Sequence, residues 1–208
     1  ASFTMIIAVG ISVPLGIIAA VHQNSWRDTI SMVLALLGLS MPNFWLGLLL
    51  IILFSLKLGW LPSGGYTGFS SILMPAFCIG AGLAAFMTRT TRSSMLDVTR
   101  QDYLRMARAK GVSERNVIRK HALKNALIPI ITVFGVQFSN VLGGSVLAET
   151  VFAWPGVGRL VVDAIEQRDI PMVTGALVMT TLLVSVANLI IDIVYAYVDP
   201  RIKAQYTK

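Results

Sequence analysis

Five stretches of this chain, at residues 2–22, 30–56, 72–88, 127–148 and 172–197, stay apolar for about as long as a helix needs to cross a bilayer. Nothing else in the sequence restricts the fold so severely. Inside hydrocarbon every backbone N–H and C=O must be paired within its own segment or in a closed sheet, and these runs lack the two-residue alternation of a barrel strand. The fold class they predict is an all-α integral membrane protein: one bundle of transmembrane helices over residues 1–208. Charge agrees, since only 13% of residues are charged and the mean hydropathy is +0.74, against roughly a quarter charged in an ordinary soluble domain. Pro14, Pro42, Pro75 and Pro129 fall within or at the start of spans and are expected to kink them.

Cations between spans set the orientation, because Lys and Arg in short loops are retained on the cytoplasmic side. Ten of them lie in residues 89–126: Arg89, Arg92, Arg100, Arg105, Arg108, Lys110, Arg115, Arg119, Lys120 and Lys124. That loop is expected to be cytoplasmic, as is the C-terminal tail, whereas residues 57–71 and 149–171 face outward. The net charge of +7 thus reports orientation and contact with membrane lipid, with no nucleic-acid partner implied. Five spans with an inner C-terminus put Ala1 outside, so a further span ahead of it is expected.

Little here resembles catalytic machinery. The sequence has no G-x-x-x-x-G-K-[ST] phosphate loop and no G-x-S-x-G elbow. Cys78 has no second cysteine to bridge, and His22 and His121 stand apart from any other metal ligand, so no metal site is predicted. Three classes remain open at this point: a subunit driven by a separate ATPase, an ion-driven carrier or passive channel, and an intramembrane hydrolase assembled from distant spans. The second wants an acid or histidine at mid-membrane, which the sequence hardly supplies.

The cationic loop is too long to be a plain connection. Residues 95–110 favour a helix that Gly111 would end by taking a left-handed backbone. A second helix then starts at Ser113, whose hydroxyl is expected to cap it, with Glu114 at the positive end of the dipole. At 100° per residue Val117, Ile118 and Ala122 share one face and Arg115, Arg119, Lys120 and Lys124 the other, with Leu123 out of place. Gln137 and Asn140 are polar positions in the fourth span and candidates for a translocation path. The glycines Gly143 and Gly144 would let that helix pack closely. Glu149, at its outer end, is a candidate outer gate.

The segment "DYLRMARAKGVSERNVIRKHALKNALIP", with its alanine, glycine and helix running into the next span, resembles the cytoplasmic loop of ABC-transporter permeases. The likeness is closest to the dipeptide, oligopeptide and nickel branch, although Arg105 and Met106 stand where the general motif has Glu and Ala. "LSMPNFWLGLLL", "AETVFAWPGVGRLVVDAI" and "ANLIIDIVYAYVDPRI" resemble the same branch, in the same order. The resemblance implies a permease of the type I ABC importer kind in a bacterial inner membrane, forming half of a path for a dipeptide, oligopeptide, glutathione or nickel chelate. Ala107, Arg108, Gly111, Ser113, Glu114, Arg115 and Ile118 would then couple to ATPase subunits. The implied partners are a second homologous permease, two cytoplasmic ATPase subunits that bind ATP and Mg, and a periplasmic solute-binding protein. No cofactor is expected in this chain.

Overall fold

A computed structural model describes residues 1–198, with side chains described to Ile193. The described residues form helices and no strand. The order is α1 (Ser2–Val21), α2 (Trp26–Ser40), α3 (Asn43–Leu50), a π-helical continuation (Ile51–Lys57) and α4 (Ser70–Thr99). There follow α5 (Asp102–Ala109), α6 (Glu114–Asn116), a second π-helical segment (Val117–Ala122), α7 (Leu123–Leu142), α8 (Val146–Val151), α9 (Val157–Glu166) and α10 (Ile170–Val198).

Four helices are each long and apolar enough to cross a membrane, and a fifth crossing exists if α2 and α3 count as one. The expected span at 30–56 is therefore not one straight rod. Its two halves meet at 99°, because Met41 (φ −79°, ψ 124°) and Pro42 (φ −61°, ψ 134°) are both extended. A residue before proline is pushed out of the helical region by the ring. Pro14, Pro75 and Pro129 lie inside continuous helices instead. The fourth apolar run, at 127–148, belongs to a longer helix, Glu114–Leu142, whose first turns reach well into the cationic loop.

α4 is the axis of the bundle, and small residues let its neighbours approach closely. A Cβ at Gly16 of α1 would lie 2.5 Å from Thr91 Cβ, and one at Gly80 of α4 would lie 3.1 Å from the Thr4 carbonyl. Without a hydrophobic drive between helices in lipid, such close backbone packing supplies much of the association. Three apolar clusters stack along this axis. Ala20, Met95, Leu104, Val117, Ala122 and Ala126 fill the end bearing the cations. Met5, Ala8, Ala84, Met87 and Ile130 fill the middle, and Leu50, Met74, Cys78 and Phe152 fill the opposite end. Phe152, 2% exposed, rests against Gly47 of α3 and gives its carbonyl to Gly65 N–H at 2.8 Å. Residues on α2 and α10 such as Leu36, Leu182 and Ile190 stay exposed, as expected of faces that meet lipid or another subunit.

Candidate functional site

At the cation-rich end α4 stops at Thr99, and α5 turns back beneath the bundle. Leu104, Val117 and Ala122 are each 0% exposed and are packed with Met95 of α4 and Ala20 of α1. Their seat joins α5 and the second π-helical segment into one elbow held against two membrane helices. The corner is a Schellman motif: Val112 N–H donates to the Ala107 carbonyl at 3.2 Å and Gly111 N–H to the Arg108 carbonyl at 2.9 Å. Ala107 and Val112, the apolar pair that normally accompanies this motif, both pack on the same cluster. Gly111 takes φ +79° with nothing within 4 Å of a Cβ position, so the backbone demands glycine there and space does not.

A salt bridge spans the corner. Arg108 Nε and Nη2 donate to Glu114 Oε2 and Oε1 at 3.0 and 2.9 Å. The guanidinium holds the Glu114 carboxyl below the usual carboxylate range, and the carboxylate raises Arg108. With 38% and 57% of the two side chains exposed, water screens the pair and its contribution is about 0.5–1 kcal/mol. This geometry changes the expected role of Ser113. Its hydroxyl makes no capping bond, and its carbonyl instead accepts the N–H groups of Asn116 and Val117.

Of the seven residues expected to couple, Arg108, Gly111, Ser113, Glu114 and Arg115 are exposed, Arg115 beside a groove that α1 also lines. Ala107 and Ile118 turn inward and pack on the apolar cluster. Leu123 also packs there, contrary to the 100° projection. The π-helical turn at Val117–Ala122 advances less per residue than an α-turn, since its bonds run i to i+5, and Leu123 is carried round to the apolar side. Two polar ties had no local signature. Asn125 Nδ2 donates to the Tyr103 hydroxyl at 2.9 Å across the elbow. Arg92 Nε and Nη2 grip Asp28 Oδ1 and Oδ2 at 2.6 and 2.7 Å, joining α4 to the start of α2. Asp28 also accepts Asn24 N–H at 3.0 Å; its position three after Ser25 is a capping-box pattern, but nothing near it names Arg92.

The remaining candidates lie along α7 and beyond. Asn140 donates to Gln137 Oε1 at 3.2 Å, and Ser139 Oγ bonds Asn188 Oδ1 of α10. The close α7–α10 contact falls at Gly135, where a Cβ would sit 2.5 Å from Ile191 Cγ2. Gly143 and Gly144 do not provide it, because they end α7, Gly144 with φ +89°. Glu149 is committed to a neighbouring helix. Its Oε2 accepts Arg159 N–H at 2.8 Å, in the first turn of α9, whose N-cap Gly156 has no side chain to offer. A Cβ at Gly156 would overlap the Glu149 carboxyl, reaching within 2.5 Å of Oε1, and one at Gly158 would lie 2.9 Å from Oε2. The carboxylate therefore sits in a glycine-lined slot and locks α8 to α9. It also borders a cleft of about 460 Å³ shared with Ser145, Trp154 and Pro75.

Comparison with known proteins places this helical bundle in a family. Residues 12–204 match the model of the family described as the binding-protein-dependent transport system inner membrane component. The chain belongs to this family. It is 47% identical over 200 residues to the glutathione transport system permease protein GsiC of Escherichia coli (strain K12), covering 96% of this chain and 65% of that protein. The same protein of Shigella flexneri serotype 5b (strain 8401) is 46% identical over 200 residues, with the same coverage. The chain thus spans about two thirds of the length of these relatives. Among solved structures, a chain of the inward-facing MetNI methionine ABC transporter superposes with a TM-score of 0.77 at 18% identity, covering 94% of this chain and 89% of that one. An amino acid ABC transporter crystallised with histidines gives 0.61 at 15% identity, covering 95% and 88%. The fold is shared with these ABC transporter chains. Asp199, Pro200 and Arg201, part of one family-like segment, lie outside the described residues.

Proposed function

We propose that this chain is one permease half of an ATP-driven importer in a bacterial inner membrane, carrying a small peptide-like solute of the glutathione kind. It would pair with a second permease of the same family. Two cytoplasmic ATPase subunits, which bind the ATP and Mg, would grip the two elbows, and a periplasmic solute-binding protein would deliver the solute. The elbow and the C-terminus face the cytoplasm in this arrangement, and Glu149 the outside.

The observation that carries the reading is the elbow's two-sidedness. On its apolar side Leu104, Val117 and Ala122 are buried against α1 and α4, while Arg108, Gly111, Ser113 and Glu114 stand exposed. A lever needs this division: a rigid root that moves the spans, and a polar outer face for a soluble partner to hold. Glutathione enters from the relatives' names and from the 47% identity; the polar pair Gln137 and Asn140 on α7 is a candidate for contact with such a solute.

The test has two parts. Purification of the full-length protein in mild detergent should recover an ATPase subunit, and Gly111→Val should leave insertion intact while ATP hydrolysis no longer drives glutathione uptake into vesicles. A β-branched residue at φ +79° distorts the corner by about 1–3 kcal/mol. Normal coupled uptake by Gly111→Val would overturn the lever.

A further inference from the structure

Between the last turns of α1 and the second π-helical segment runs a groove of about 470 Å³, bordered by Val13, Ile17, Ile18, Ile118 and Leu123. Its floor is almost entirely aliphatic. Its rim is not, because Arg115, Arg119 and His22 close one end, and His22 Nε2 lies 2.9 Å from Arg27 Nη1. No acid borders the groove. Two acids on adjoining elements are already engaged, Glu114 by Arg108 and Asp28 by Arg92. From Val13 to His22 the wall is about 14 Å long at 1.5 Å per residue, roughly half of a 30 Å hydrocarbon core.

We infer that this groove is a binding site for an anionic phospholipid of the cytoplasmic leaflet. One acyl chain lies along Ile17 and Ile18 to the depth of that leaflet, and the phosphate sits between Arg115 and Arg119. A guanidinium suits this role because its planar fork meets phosphate oxygens in pairs. The groove is walled by a π-helical segment, a departure from α-geometry that is frequent at functional sites. The site lies at the root of the elbow, so the lipid would be wedged between α1 and the lever. The inference rests on the proposed sidedness of the elbow, and its test needs neither ATP nor transport.

The full-length protein in lipid nanodiscs, probed by electron paramagnetic resonance with spin-labelled phosphatidylglycerol and phosphatidylcholine, would decide it. A cation near an anionic headgroup contributes roughly a fivefold preference, and two give on the order of thirtyfold. The expected result is a motionally restricted population that selects phosphatidylglycerol, with the selectivity cut about fivefold by Arg119→Gln and the population removed by Ile18→Trp, which fills the groove. Arg105→Gln, a cation on α5 that is not among those lining the groove, should change neither. Equal restriction of both lipids overturns the proposal, as does a preference that Arg119→Gln and Ile18→Trp leave unchanged. Absence of restricted lipid, with another polypeptide segment filling the groove, overturns it too. A failed Gly111→Val coupling assay would leave this measurement standing.

Discussion

Gly156→Ala should unlatch α9 by adding a single methyl group. The backbone there, φ −110° and ψ 168°, suits any residue, so the effect is one of space alone. The new Cβ would overlap Glu149 Cδ and come within 2.5 Å of Oε1, and the carboxylate must leave its slot. Two interactions go with it. Arg159 N–H loses the acceptor at 2.8 Å, equivalent to losing an N-cap at about 1 kcal/mol, and the positive end of the α9 dipole loses its anion at about 0.3–1 kcal/mol. Strain from any incomplete withdrawal brings the total to roughly 2 kcal/mol, or about thirtyfold in a local opening equilibrium. Hydrogen exchange read by mass spectrometry on the full-length protein should therefore show α9 amides exchanging about thirtyfold faster, with α1 and α4 unchanged. Gly10→Ala and Gly175→Ala are the controls: apart from the local backbone of its own helix, neither Cβ position meets an atom within 4 Å, and alanine favours a helix by about 1 kcal/mol. Exchange in Gly156→Ala equal to the parent would refute the reasoning.

Other outcomes follow from the same contacts. Asp28→Ala leaves the Arg92 guanidinium, 24% exposed, without its carboxylate, and should lower the unfolding midpoint by an amount equivalent to about 2 kcal/mol; a midpoint within error of the parent counts against the tie. Gly135→Leu places side-chain atoms where Ile191 packs and should separate α7 from α10, read as a longer spin-label distance between them. The Arg108–Glu114 clasp has a defined pH window. Glu114 is depressed in the folded state, so the clasp's stability is present above the ordinary carboxylate value of 4.5 and is lost as pH falls through the lower folded value. Proteolysis at the elbow should rise only on that acid side, by no more than the fivefold that about 1 kcal/mol allows; a rise already complete at neutral pH would exclude the clasp as the restraint.

Much of the elbow was legible because its determinants are local. The left-handed corner needs glycine at Gly111 whatever surrounds it, and the apolar spacing of Val117 and Ala122 marks the buried side. The Ser113 cap failed for a local reason as well: the turn gives the backbone carbonyl to Asn116 and Val117, and Glu114 reaches back to Arg108 instead. Leu123 was misplaced because periodicity assumes α-geometry, which the π-helical turn suspends. Glu149, a candidate outer gate by sequence, gives no local sign of the contact it makes. Its slot exists only once α9 folds back over α8 and brings Gly156 and Gly158 to the carboxylate.

The sequence by itself determined that this chain lives in a membrane as helices, where its breaks in hydropathy fall, and that a glycine corner stands in its cation-rich loop. These follow from solvent transfer and backbone sterics, which each residue carries with it. Only the tertiary structure decided that the second apolar run bends by 99°, that Arg92 finds Asp28 across 64 positions, and that Gly135 and not Gly143 meets its neighbour. Hydropathy reports the medium a residue prefers and is silent on direction; which helices touch, and at which residue, depends on distances that exist only after the bundle has closed.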